Sequence, residues 1–154
     1  MTVKCLKPLA IAALLLGWSF GTVAVAAPAA DSSVEVVSPS AFRAFSEGHT
    51  LYFSADGGYF GAESYGADRQ AVWQYGLGSC IRGTWRPHGA QICFTYEGGT
   101  GELCWRVFRD EAGMFARLVS VDGGESDGFE LRVIRRDRRP LSCGGPLAKA
   151  APGS

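Results

Sequence analysis

Eight short runs rich in aromatic and β-branched residues, each closed by a glycine-bearing turn, restrict this chain to a narrow set of folds. The runs cover 50–54, 59–65, 70–75, 79–85, 90–96, 102–109, 114–120 and 129–134. Turn segments such as Asp56-Gly57-Gly58, Gly76-Leu77-Gly78 and Glu97-Gly98-Gly99-Thr100 separate them. Strands recurring at such spacing predict an all-β antiparallel meander of about eight strands. It closes into a small barrel or packs as a sandwich, and closure removes the exposed edges that an open sheet must otherwise protect. One short helix precedes it at 39–47, with Ser38 as N-cap, Pro39 at the first helical position and Gly48 as the stop.

Side-chain parity sorts the strands into two faces. Ile81 and Trp85 share one face while Cys80, Arg82 and Thr84 share the other. Ile92, Phe94 and Tyr96 oppose Cys93 and Thr95, and Trp105 and Val107 oppose Cys104 and Arg106. The aromatic set forms the core, and the cysteines lie on the opposite face. A four-residue loop at 97–100 places Cys93 directly across from Cys104, close enough for a disulfide. A hairpin tip at Pro87-His88 sets Cys93 against Arg82 and leaves Cys80 diagonal and too far away. The register therefore favours Cys93–Cys104, with Cys80–Cys143 tying the tail to the sheet; the two other pairings stay open.

The first residues set the compartment. A lysine-bearing start with no acidic residue, an apolar run from Leu9 to Phe20 and a closing Ala24-Val25-Ala26 read as a secretory signal peptide cut after Ala26. The organisation expected is a signal peptide at 1–26, a flexible lead-in at 27–37, a disulfide-stapled domain at 38–146 and a flexible tail at 147–154. Four cysteines then remain, an even number suited to a periplasmic or secreted chain. They lack the close pairs of a metal site, so no metal and no cofactor is expected. After cleavage, thirteen basic residues face fifteen acidic ones, because Lys4 and Lys7 leave with the leader. That balance excludes nucleic acid as an expected partner, and no later apolar stretch reaches membrane length.

The string Glu47-Gly48-His49-Thr50-Leu51-Tyr52-Phe53, with Gly61-Ala62-Glu63-x-Tyr65, Cys80-x-x-Gly83-x-Trp85, Ile92-Cys93-Phe94-x-Tyr96, Cys104-Trp105 and Pro140-Leu141-x-Cys143, is distinctive. Across residues 40–146 it resembles a family of small exported proteobacterial proteins classed as a domain of unknown function. The resemblance implies no activity, ligand or catalytic residue.

Chemistry-bearing residues are few. His49 and His88 are the histidines, and with the cysteines committed to disulfides no catalytic set is expected. The acidic loop at 122–127 lacks EF-hand spacing. Burial preference turns Glu63 outward; turned inward and paired with an arginine, it would anchor a ligand cavity. Arg132, Arg135 and Arg136 open a basic run that either guards the last strand or docks on an envelope protein or anionic envelope polymer. The aromatics are expected to fill the interior, since a chain this short needs its apolar area for stability. Three readings follow: a non-catalytic envelope binding module, a lipocalin-like small-ligand carrier, and a weak hydrolase using His49 and Glu63. Arg132, Arg135, Arg136, Glu63 and His49 are the candidate binding residues.

Overall fold

The computed structural model describes residues 33–99 and 101–143. The expected signal peptide with its cleavage site at 1–26, and the expected tail at 147–154, lie outside the described residues. Among the described residues no helix is long and apolar enough to cross a membrane.

Strand β1 (Glu35–Val37) leads into helix α1 (Pro39–Ser46), and the meander follows as β2 (Thr50–Ala55), β3 (Gly58–Tyr65), β4 (Gln70–Tyr75), β5 (Cys80–His88), β6 (Gln91–Tyr96), β7 (Glu102–Asp110) and β8 (Gly113–Val121). A two-residue β9 (Gly124–Glu125) and β10 (Glu130–Asp137) complete it. From β2 to β8 each strand pairs with the next, and β10 pairs with both β8 and β2. The result is a closed eight-stranded antiparallel barrel. Local turn chemistry directs this path. Asp56 (φ 48°) with Gly57 (φ 78°), and Asp122 (φ 51°) with Gly123 (φ 78°), take the left-handed conformations that two-residue hairpins of matching twist demand.

Two expectations need correction. The lead-in is not flexible to its end: Glu35–Val37 pairs with Arg109, Phe108 and Val107. It occupies the edge of β7 beyond Arg106, where the β6 ladder stops, and Val37 is buried there. The β5–β6 hairpin turns at Gly89-Ala90 rather than Pro87-His88, so Cys93 faces Arg86. Gly89 (φ 58°) supplies the positive φ this turn needs at its first position.

The disulfides are Cys93–Cys104 and Cys80–Cys143. The first joins directly opposed residues of β6 and β7 and sits beside an ion pair in which Arg86 forks onto Glu102 (2.8 and 2.7 Å). The second anchors the segment after β10. On the way, the Arg139 carbonyl accepts from the Thr50 hydroxyl (2.7 Å) and the Ser142 carbonyl from the Gln74 amide (2.9 Å). Thr50 and Gln74 are buried, and these bonds satisfy polar groups that would otherwise be costly to cover.

Helix α1 closes one end of the barrel. Ser38 caps it by accepting from the Ala41 amide (3.2 Å). Phe42 meets Tyr65 and Trp85 edge-on, with centroids 5.3 and 5.6 Å away.

A candidate ligand cavity around Glu63

The aromatic face predicted from parity does point inward, but it does not fill the barrel. A cavity of about 200 Å³ remains, and ten of the seventeen residues that line it are aromatic. Phe42, Tyr65, Ile92 and Val107 line it toward the helix and are buried; Phe60, Leu103, Leu118 and Phe129 are half-buried and Tyr75 is exposed. The cavity therefore reaches solvent at the loop end of the barrel, away from α1.

Two glycines make room for the aromatic rings. A Cβ on Gly61 would lie 2.9 Å from the Trp73 ring and 2.5 Å from the Gln74 carbonyl. One on Gly83 would lie 2.6 Å from both the Tyr96 ring and the Thr95 carbonyl. Bare backbone at these positions lets a tryptophan and a tyrosine lie against the wall. A bulge in β3, where Phe53 pairs with Gly61 and Ser54 with Tyr59, leaves Phe60 unpaired, and its side chain joins the cavity wall.

Glu63 is turned inward, against the outward expectation, and is only 3% exposed. The reason is parity: Gly61, Glu63 and Tyr65 share one face of β3, and the inward Trp73 pairs directly with Glu63. Its partners are tyrosines, not an arginine. The Tyr65 hydroxyl donates to one carboxylate oxygen (2.6 Å) and the Tyr96 hydroxyl to the other (2.7 Å). Burial pushes the Glu63 carboxyl up to about 7, and the two tyrosine hydrogen bonds only partly offset that. Burial also raises both tyrosines well above their ordinary value, with the Glu63 charge adding to it. Among the described residues no lysine, arginine or histidine lines the cavity. Trp73, buried in the same wall, has an indole N–H with no hydrogen-bond partner among the described residues.

The other candidate residues lie elsewhere. His49 is not among the cavity residues. Its Nδ1 sits 2.9 Å from the Glu47 carbonyl and 3.3 Å from the Arg136 guanidinium, and its Nε2 accepts from Arg138 (3.3 Å). His49 and Glu63 share no hydrogen-bond partner among the described residues. Arg132 forks onto Asp110 (2.9 Å twice) and lies over the Phe115 ring, 4.7 Å from its centroid. Arg135 stacks on Tyr52 at 3.5 Å, and Arg136 covers Phe45 at 4.7 Å while donating to its carbonyl (2.7 Å). These arginines hold β10 to its neighbours and to α1.

One pattern escaped the sequence reading. Gly124-Glu125-Ser126-Asp127-Gly128 has G-x-S-x-G spacing, as does Gly17-Trp18-Ser19-Phe20-Gly21, which lies outside the described residues. Ser126 lies in the connection between β9 and β10 with its hydroxyl on Asp127 (3.3 Å), and not on the strand-to-helix elbow that makes such a serine nucleophilic. Among the described residues, one group of three metal-type donors falls together, Cys93, Glu102 and Cys104. Both sulfurs are spent in the disulfide, so neither is the thiolate a metal would require.

No protein-family model, no curated protein and no solved structure matches this chain. Its geometry is what bears on function.

Proposed function

We propose that the chain is an exported, non-catalytic binding protein of the cell envelope that carries a small ligand inside its barrel. The observation that carries this reading is the aromatic cavity of about 200 Å³. An engineered apolar cavity of about 150 Å³ takes up benzene, so the space is sufficient for a small molecule. A structural core would gain stability by filling it, since empty space forfeits packing. Eight-stranded barrels are wide enough for one small ligand. The leader-like start, the two disulfides and the separation of His49 from Glu63 support export and a role without catalysis.

Native mass spectrometry of protein purified from its own envelope tests the reading. The expected species begins at Ala27, has both disulfides and carries a small-molecule adduct. Filling the cavity wall with Ala116→Phe should remove that adduct. Protein that emerges bare, and whose aromatic NMR signals do not move with benzene or indole, would end the carrier reading.

A further inference from the structure

The cavity has a chemical bias that its volume alone does not explain. Its one carboxylate is buried among rings, and the groups that touch it are hydroxyl donors, not cations. Burying an ionised carboxylate without a counter-charge is expensive, and folded proteins avoid it by pairing or neutralising the group. A leucine or glutamine at position 63 would escape the cost altogether. Each carboxylate oxygen accepts one tyrosine hydroxyl, and a carboxylate offers about four acceptor positions, so acceptor capacity remains for a ligand.

The surroundings fit the same partner. Trp73 pairs with Glu63 across β3 and β4, and Phe53 lies 5.6 Å from Trp73 between ring centroids. Phe94 is stacked on Tyr96 with the planes 6° apart. Aromatic faces attract cations through their quadrupoles, most strongly where water is excluded. On the outside of the barrel the protein applies this chemistry to its own arginines, over Tyr52, Phe45 and Phe115. Inside, rings and a carboxylate are assembled, and among the described residues no arginine, lysine or histidine lines the cavity with them.

We infer that the ligand is a small organic amine bound as its ammonium cation, with its N–H on Glu63 and its carbon skeleton against the aromatic wall. This rests on the carrier reading, and the test separates the two. Benzylammonium and ethylbenzene have nearly the same shape and differ by the charge. Their binding at pH 8 is followed by NMR shifts of the cavity aromatics in wild-type protein, Glu63→Gln and Tyr96→Phe. In wild type, benzylammonium should bind roughly tenfold or more tighter, the scale of a hydrogen bond to a charged group. That advantage should vanish in Glu63→Gln and persist, reduced, in Tyr96→Phe, which keeps the carboxylate. Equal or tighter binding of ethylbenzene to wild type overturns the cation inference and leaves the carrier standing. A cation preference that survives in Glu63→Gln overturns it as well, and failure of both probes to enter wild type removes both readings. If Glu63→Gln does not fold, the isostere pair in wild type and Tyr96→Phe decides.

Discussion

Asp110 and Glu63 are carboxylates of one barrel placed in opposite circumstances. Asp110, at the outer end of β7, receives both arms of the Arg132 guanidinium, and that hydrogen-bonded pairing holds its carboxyl below the usual range. Glu63, on the inner face, has two tyrosine donors and no cation among the described residues, and burial drives its carboxyl up to about 7. The outer surface treats charge as a fastening: Arg132, Arg135 and Arg136 each lie over a ring. The interior leaves its charge unmatched. A fold able to pair its charges so readily outside has one unpaired group inside, where the cavity is. That contrast separates what holds the barrel together from what the barrel holds.

The largest effect should belong to the outer fastening. Replacing Cys80 and Cys143 together by alanine opens a closure of sequence separation 63, which costs about 4 kcal/mol by loop entropy. The Cys93–Cys104 closure, with separation 11, should cost about 3 kcal/mol. Urea unfolding measures both. In the still-folded Cys80/Cys143 variant, ligand retention at 25 °C should be unchanged. Loss of the ligand from a folded barrel would show that the strap belongs to the site and would erase the contrast.

Next in size is the interior charge. The Glu63 carboxyl is raised in the folded protein from 4.5 to about 7, so the native state binds the proton more tightly than the unfolded chain does. Stability linked to this group is therefore greatest below about 4.5 and is lost as pH rises to about 7. Tyr65 and Tyr96, the hydroxyls that touch Glu63, are pushed well above their ordinary value and stay neutral across that window. Glu63→Gln removes the ionised form, so at pH 8 it should stabilise the ligand-free protein by up to about 3 kcal/mol while erasing the preference for the cation. Asp110 runs the other way: its contribution is lost as pH falls through its lowered value, in a separate acid window. Thermal melts between pH 5 and 8 check the sign. A Glu63→Gln protein less stable than wild type at pH 8 would mean that the carboxylate is structural.

How much of this was legible beforehand follows from the range of each cause. The strands, the inward aromatic face and the Cys93–Cys104 register depend on period-two alternation and on turns, both local to the sequence. Strand β1 was missed because three residues next to a helix carry almost no alternation; their place comes from a ladder on β7, seventy residues away. The orientation of Glu63 was available from parity with Tyr65 and Gly61, and a residue-type preference for exposure overrode it. The aromatic roster was legible, whereas the cavity was not: its volume depends on summed side chains against barrel radius, and the bulge at Phe60 appears only in the register. Pairing of the arginines depended on rings distant in the chain, such as Phe45 and Phe115.

A smaller change sharpens the interior half of the contrast. Tyr96→Phe deletes one of the two donors to Glu63, and hydrogen bonds to a charged group contribute about 1.5–3 kcal/mol. The loss falls mainly on the ionised form, so the carboxyl should titrate above its wild-type value of about 7 in a carbon-detected NMR titration. Stability should fall by about 1–2 kcal/mol above that pH and by less below it. An unchanged titration would mean that Tyr96 is not the donor that limits the charge.

The smallest effect should come from the outer arginines. Arg135 stacks on Tyr52 and Arg136 on Phe45, and exposed cation–π contacts contribute about 0.5–1 kcal/mol each. Changing both to serine should therefore lower stability by about 1–2 kcal/mol from the two stacked contacts. Ligand occupancy by native mass spectrometry should stay at the wild-type level, because neither side chain lines the cavity. The comparison is most exposed here. If these arginines also recruited an anionic envelope polymer, a pull-down from envelope extract would lose partners in the double variant. If they serve only as fastenings, the same partners come down with a slightly weaker barrel. A drop in occupancy without unfolding would mean that the seam reaches the interior, and inner and outer charge could no longer be treated as separate.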